Sequence, residues 1–211
     1  MREWLVLGDL RCKMVEQKIF GMWDISEVQV NDMGLKAVIN LDYKPILKTQ
    51  GKIRSKYYQA KVNIIERFSN LVTLSGHRGK KHKIELGRLT GKYEHQMRTM
   101  IEMFKILEKQ TGKNPIQVLV TAIENAAPRD EVTTIEYGGA RYPQAVDVAP
   151  LRRVSLALRN IVRGASDKAF GKKKKLAQAL AEEVKLAYDL NMESAALKKK
   201  NEVEKQADSA R

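Results

Sequence analysis

Apolar positions recur with a helical period over most of the chain after residue 60. Ile64, Ile65, Phe68, Leu71 and Val72 fall on one helix face, and the helix should stop before Gly76. Tyr93, Met97, Met100, Ile101, Phe104 and Leu107 form the longest amphipathic pattern, closed by Thr111-Gly112. Its methionines read as adaptable core packing. Asn114-Pro115 supplies an N-cap and a first-turn proline to the next helix. There Ile116, Leu119, Val120, Ile123 and Ala127 predict a central, buried element. Pro150 opens another helix, with Leu151, Val154, Leu158, Ile161 and Val162 on its apolar face. Leu176, Leu180, Val184 and Ala187 mark the next, ending near Asn191. From Glu193 to Arg211 the only large aliphatics are Leu197 and Val203, which predicts a weak helix in need of a partner surface.

The helical period breaks after Pro128. Val132, Thr133, Thr134, Ile135 and Tyr137 favour strands, Gly138-Gly139 suits a two-residue hairpin turn, and a second strand runs to Val148. Pro143 has no N–H to donate, so its strand is paired on one side only there. A hairpin this long should project from the body and be held by something else. Residues 1–60 show weak periodicity: Val28-Gln-Val30 alternates, Ala37-Val-Ile39 and Ile46-Leu47 are short apolar runs, and Asn31-Asp32-Met33-Gly34 reads as a turn. The expected fold class is mainly α: a bundle of about six helices with a protruding β-hairpin arm and an N-terminal extension of short strands and turns. The extension takes residues 1–60, the helical domain residues 61–211, and the arm about 130–148.

Charge changes this picture from a fold to a partner. The 211 residues carry 39 Lys and Arg against 25 Asp and Glu, a net +14, with 43% hydrophobic residues. A chain that folds yet repels itself this strongly is expected to meet a polyanion, nucleic acid before membrane. The excess is uneven. Residues 61–112 carry net +6 and residues 151–211 net +7, whereas residues 113–150 carry net −2. One cysteine, Cys12, allows no internal disulfide and no multi-cysteine zinc site, and points to the cytosol. No run approaches the roughly 18 apolar residues of a membrane span, and the apolar patch Trp4–Leu7 is too short for a secretory signal.

Candidate contacts for a polyanion follow from the basic stretches. Ser75 to Lys83 holds two glycines with Arg78, Lys80, Lys81 and Lys83, which suits a loop laid on phosphate. Arg152, Arg159 and Arg163 lie within about 40° of one another on a helix, opposite its apolar face. That stripe reads as free of acidic (i, i+4) partners and therefore as anion-binding. Lys172, Lys173 and Lys174 precede one helix, and Lys198 and Lys199 sit on the last. Catalytic constellations are missing. His77 and His82 have no acidic or thiol neighbour to share a metal with, Gly76-His-Arg-Gly79-Lys80-Lys81 lacks the spacing of a phosphate-binding loop, and Glu182-Glu183 reads as a charged helix surface. No cofactor and no enzymatic activity are expected.

These motifs resemble those of small-subunit ribosomal protein seven, in its archaeal/eukaryotic form. Gly79-Lys80-Lys81 after the first long helix is similar to that family's Gly-Lys-Lys signature. Pro115 to Asn125 looks like its central helix, Tyr142 to Arg153 like its hairpin return and arginine-bearing helix start, and Ala196 to Glu202 like its C-terminal motif. Phe20-Gly-Met-Trp23 with Val28 to Asp32 resembles the extension of the archaeal/eukaryotic form. The resemblance runs from about Lys18 to Arg211. It implies a primary binder of the 3′ major domain of 16S rRNA that nucleates assembly of the subunit head. It also implies neighbours among other head and platform ribosomal proteins, an arm near the exit-site tRNA and mRNA path, a cytoplasmic location and no self-association. By position, Lys80, Lys81, Arg152 and Arg153 are implied rRNA contacts, and Lys56, Arg129 and Arg141 complete the candidate set. Gly138, Gly139 and Tyr142 are implied to face tRNA. The arm departs from the family's basic pattern, since Arg141 stands against Glu131, Glu136 and Asp147; Tyr137 and Tyr142 are candidates for base stacking or for packing. The alternative reading is a general basic RNA/DNA-binding protein outside the ribosome.

Overall fold

The computed structural model describes residues 18–49, 53–78 and 91–211. The N-terminal part begins with a minimal antiparallel pair, β1 (Lys18–Ile19) and β2 (Trp23–Asp24). The stretch Asn31–Gly34 is not a free turn. Asp32 caps a single-turn helix α1 (Met33–Lys36) by accepting from the Gly34 N–H at 2.8 Å. The runs Val28–Val30 and Ala37–Ile39 form no strands; instead Val38 and Ile39 turn inward after α1. A 3-10 helix spans Lys56–Lys61 and buries no residue.

The periodic stretches are helices: α2 (Ile64–Val72), α3 (Tyr93–Thr111) and α4 (Pro115–Ala126), then α5 (Pro150–Ala169), α6 (Leu176–Tyr188) and α7 (Ala195–Ser209). Side-chain caps explain several starts. Asn63, Asn114 and Ser194 accept from N–H groups in the first turns of α2, α4 and α7. Between α4 and α5 lies the hairpin of β3 (Asp130–Tyr137) and β4 (Ala140–Asp147), registered from Asp130 opposite Asp147 to Tyr137 opposite Ala140. Gly138 and Gly139 both have positive φ (60° and 82°), as a two-residue turn that follows strand twist requires.

Helix α4 is buried nearly all round, because Val118, Ala122 and Ala126 join the expected face. One hydrophobic cluster links α2 to α7 and also takes in Ile19, Trp23, Ile25, Leu35, Val38, Ile39 and Leu47. The N-terminal part is therefore stitched into the body. Trp23 packs edge-on to Phe104 at 5.4 Å and donates from Nε1 to Glu108. Gln117 exchanges two bonds with the Gln29 backbone, and Glu124 accepts from the N–H groups of Asn31 and Asp32. Side chains of α4 thus satisfy backbone that forms no regular structure of its own.

The expected charged surface at Glu182-Glu183 needs correction. Glu183 is fully buried where α5, α6 and α7 meet, because an ion pair and two hydrogen bonds hold it there. It pairs with Lys168 at 2.5 Å and accepts from the Ser194 hydroxyl (2.7 Å) and the Ala196 N–H (3.1 Å). Glycine at 164 lets the helices approach: a Cβ there would lie 2.7 Å from the Ala195 Cβ.

Candidate nucleic-acid interface

Three concavities that share lining residues form a groove across the N-terminal part, the 3-10 helix, α2 and α5. It begins between Lys44, Lys48, Tyr58 and Lys61. Ile53 and Val62 carry it into a second concavity that holds Arg67 and Arg159. Leu71 and Arg159 carry it into a third, lined by His77 and Arg163. No Asp or Glu is among the described residues lining these three concavities. Cations share the groove with aromatics, for Lys61 sits 5.0 Å from the centre of the Tyr58 ring and Tyr57 is exposed beside it.

Three arginines converge at the far end. Burial lowers the pKa of Arg163, and the positive charges of Arg159 and Arg78 lower it further. Arg78 donates to the Arg163 carbonyl at 3.0 Å and pairs with Asp167 at 2.6 Å. Like charges crowded this way create a field that favours an incoming anion.

The arginine stripe is less free than its spacing suggested. Asp167 stands four residues after Arg163, yet its carboxylate goes to Arg78. Arg152 is neutralised across elements by Glu131 of the hairpin, at 2.6 Å. Arg153 points inward, its side chain 13% exposed, donating to Asp32 at 2.9 Å and to the Pro128 carbonyl at 3.2 Å. It joins α1 to the hairpin root. Lys200, outside the candidate set, does similar work by donating to the Asn125 carbonyl at 2.9 Å, and burial lowers its pKa.

The geometry is that of a basic groove on a helical frame, and sequence comparison gives the family of the chain that carries it. A family model described as ribosomal protein S7p/S5e matches residues 42–211. The chain belongs to the ribosomal protein S7p/S5e family. It is 48% identical over 198 residues to the small ribosomal subunit protein uS7 of Nanoarchaeum equitans, covering 93% of this chain and all of that one. It is 42% identical over 194 residues to the protein of the same name from Cenarchaeum symbiosum (92% and 96% covered). For that of Archaeoglobus fulgidus the identity is 43% over 197 residues (93% and 96% covered).

The other candidate residues of this family member divide by place. Lys56 is exposed on the 3-10 helix, while Lys172 and Lys173 are exposed between α5 and α6. Lys174 pairs with Glu182, and Lys199 with Glu202 at 2.9 Å beside the exposed Lys198. Arg129 is exposed at the hairpin root, where its N–H donates to Glu204. Arg141 lies on the arm, 3.7 Å from Glu136. Gly138 and Gly139 form the arm tip, next to Tyr137 (82% exposed) and Tyr142 (59% exposed). Lys80, Lys81 and Lys83 lie outside the described residues. The structure thus brings Arg78, Arg159 and Arg163 together, while Arg152 pairs with Glu131, Arg153 with Asp32 and Lys199 with Glu202. Lys44, Lys48, Lys61 and Arg67 were not singled out by sequence reasoning. Their signal is weak, since single cations amid apolar runs mark a groove only once α2 and the N-terminal part are packed together. Among the described residues no cluster of side chains could hold a metal ion, and no helix is long and apolar enough to cross a membrane.

Proposed function

We propose that the chain is a primary binder of 16S rRNA in the small ribosomal subunit, holding the 3′ major domain and nucleating assembly of the head. Residues 61–211 form the rRNA-binding domain, residues 1–60 an N-terminal extension whose Lys44 and Lys48 line the groove, and residues 130–148 the arm. The observation that carries this reading is the groove running from Lys44 to Arg163 with no acidic residue in its described lining. Its cations displace counterions from folded RNA, and the helical frame fixes their spacing. Shape and the 2′-hydroxyl then supply selectivity without a base code. Arg153, turned inward, positions the root of the arm. The arm lies near the exit-site tRNA and mRNA, offering the tyrosine-bearing tip around Gly138 and Gly139. The partners are rRNA and neighbouring head and platform proteins, in the cytoplasm, with no second copy of the chain required.

The test is competition binding of the full chain to a 3′ major domain fragment at several salt concentrations. The fragment should outcompete duplex DNA, with log K falling steeply against log salt. Replacing Lys80 and Lys81 by Ala should flatten that slope by about 0.7 to 0.9 for each phosphate no longer neutralised. Equal affinity for DNA would instead make the chain a general nucleic-acid binder. A chain that sediments free of small subunits at moderate salt would sink the ribosomal reading.

A further inference from the structure

Arg67 on α2 is 8% exposed, yet no carboxylate among the described residues pairs with it. Its Nη1 donates to the Val38 carbonyl at 3.2 Å and its Nη2 to the Ser155 hydroxyl at 3.3 Å. Both acceptors are neutral. Burial alone lowers its pKa to about 10, as expected of a cation held without a counter-charge. Glu66, its neighbour in sequence, faces elsewhere, for its Oε1 accepts from the backbone N–H and hydroxyl of Thr49, each at 2.7 Å. Arg67 lines a cavity of about 230 Å³ between the 3-10 helix, α2 and α5. The other polar groups there are Gln59, Asn70, Ser155 and the exposed Arg159, and the rest of the described lining is aliphatic.

A buried guanidinium that no described carboxylate pairs with, lining together with a second arginine a cavity with room for an oxyanion, is a preformed acceptor for negative charge. We propose that this cavity is a seat for one phosphate group, held between Arg67 and Arg159. The group can be a free oxyanion or a backbone phosphate of RNA. Only the second source rests on the function proposed above.

The two sources separate in experiments on the full chain. Thermal unfolding is followed in inorganic phosphate and in sodium chloride of equal ionic strength, for the wild type, Arg67→Met and Arg159→Gln. Phosphate strengthens burial in all three through exclusion from the surface, so the readout is the extra gain of the wild type. That extra gain should vanish in Arg67→Met and shrink in Arg159→Gln. In RNA binding, Arg67→Met should lower the salt slope by about 0.7 to 0.9, the share of one phosphate. Lowered slope with equal thermal gains supports a seat used by RNA phosphate alone. Equal gains together with an unchanged slope overturn the proposal and leave Arg67 a purely structural residue. Failure of the wild type to bind rRNA defeats the function proposed above, and the thermal comparison then decides the seat by itself. Arg159 is exposed, so its variant keeps both readouts available if Arg67→Met does not fold.

Discussion

Glu183 shows how much a single side chain decides in this fold. Its carboxylate is fully buried and ties α5, α6 and α7 through Lys168, Ser194 and Ala196. Removing one partner of a buried ion pair costs about 3 kcal/mol, whereas exposed substitutions stay within about 0.5 kcal/mol. Glu183→Ala should therefore lower the urea midpoint clearly, and Glu182→Ala should barely move it; equal midpoints would refute the buried junction. Gly164→Ala should cost about 1 to 3 kcal/mol through overpacking against Ala195. Asp32 adds a pH dependence. Burial raises its carboxyl, but the Gly34 N–H and Arg153 outweigh that and hold it below the ordinary value of 3.8. A carboxyl with a depressed folded pKa stabilises the protein above its unfolded value, and this contribution is lost as pH falls through the folded one. The stability difference between wild type and Asp32→Asn should thus shrink as pH falls from about 5 to about 3, measured by denaturant titration at each pH. A constant difference would detach Asp32 from the acid limb.

At the scale of elements, legibility followed periodicity. The six long helices were readable because each repeats an apolar face, and the hairpin because Gly-Gly separates two β-favouring runs. In the N-terminal part the short strands and turns were readable, but their packing was not. Ile19, Trp23, Leu35 and Leu47 enter the core singly, without a period, and Gln117, Glu124 and Asn114 complete the local backbone bonding. Those helical side chains are about 90 residues away in sequence. The candidate site divides in the same way, since its cations were visible and their pairing was not. Arg152 meets Glu131 across elements, and Arg153 goes to Asp32, for the same reason. The weak α7 found its surface at the arm root. Arg211 pairs with Asp130 at 2.5 Å, the Ala145 N–H donates to the Ala210 carbonyl, and Glu204 accepts from Arg129. Glu204→Ala combined with Arg152→Ala should speed amide hydrogen exchange in β3 and leave α4 protected, because only the root is untied. Matching acceleration in α4 would mean that arm and body unfold together.

For the whole molecule, carboxylates have an internal job. Asp32, Glu66, Glu124, Glu183 and Glu204 each satisfy groups of the fold, and cations are the only charged groups in the described lining of the groove. A net charge of +14 then opposes the compact state when no polyanion is present. The melting temperature of the free chain should rise as salt goes from about 20 mM to about 200 mM, where screening shortens the reach of like-charge repulsion. A flat or falling Tm would show that the internal pairs dominate instead.

The two-stranded arm also has two outer edges, and they are not equivalent. Pairs next to a two-residue turn exchange both hydrogen bonds, and the pattern then alternates along the ladder. Counting from Tyr137–Ala140, the Thr134–Pro143 pair is one that does not exchange. Its backbone groups face outward, so the N–H that Pro143 lacks is missing from the rim of β4 rather than from the ladder. Strand-by-strand growth onto that rim meets a gap, while β3 keeps a full set of donors. Unwanted stacking of one free chain on another is thereby confined to one side of the arm, which breaks the symmetric, two-edged propagation that open ribbons otherwise permit.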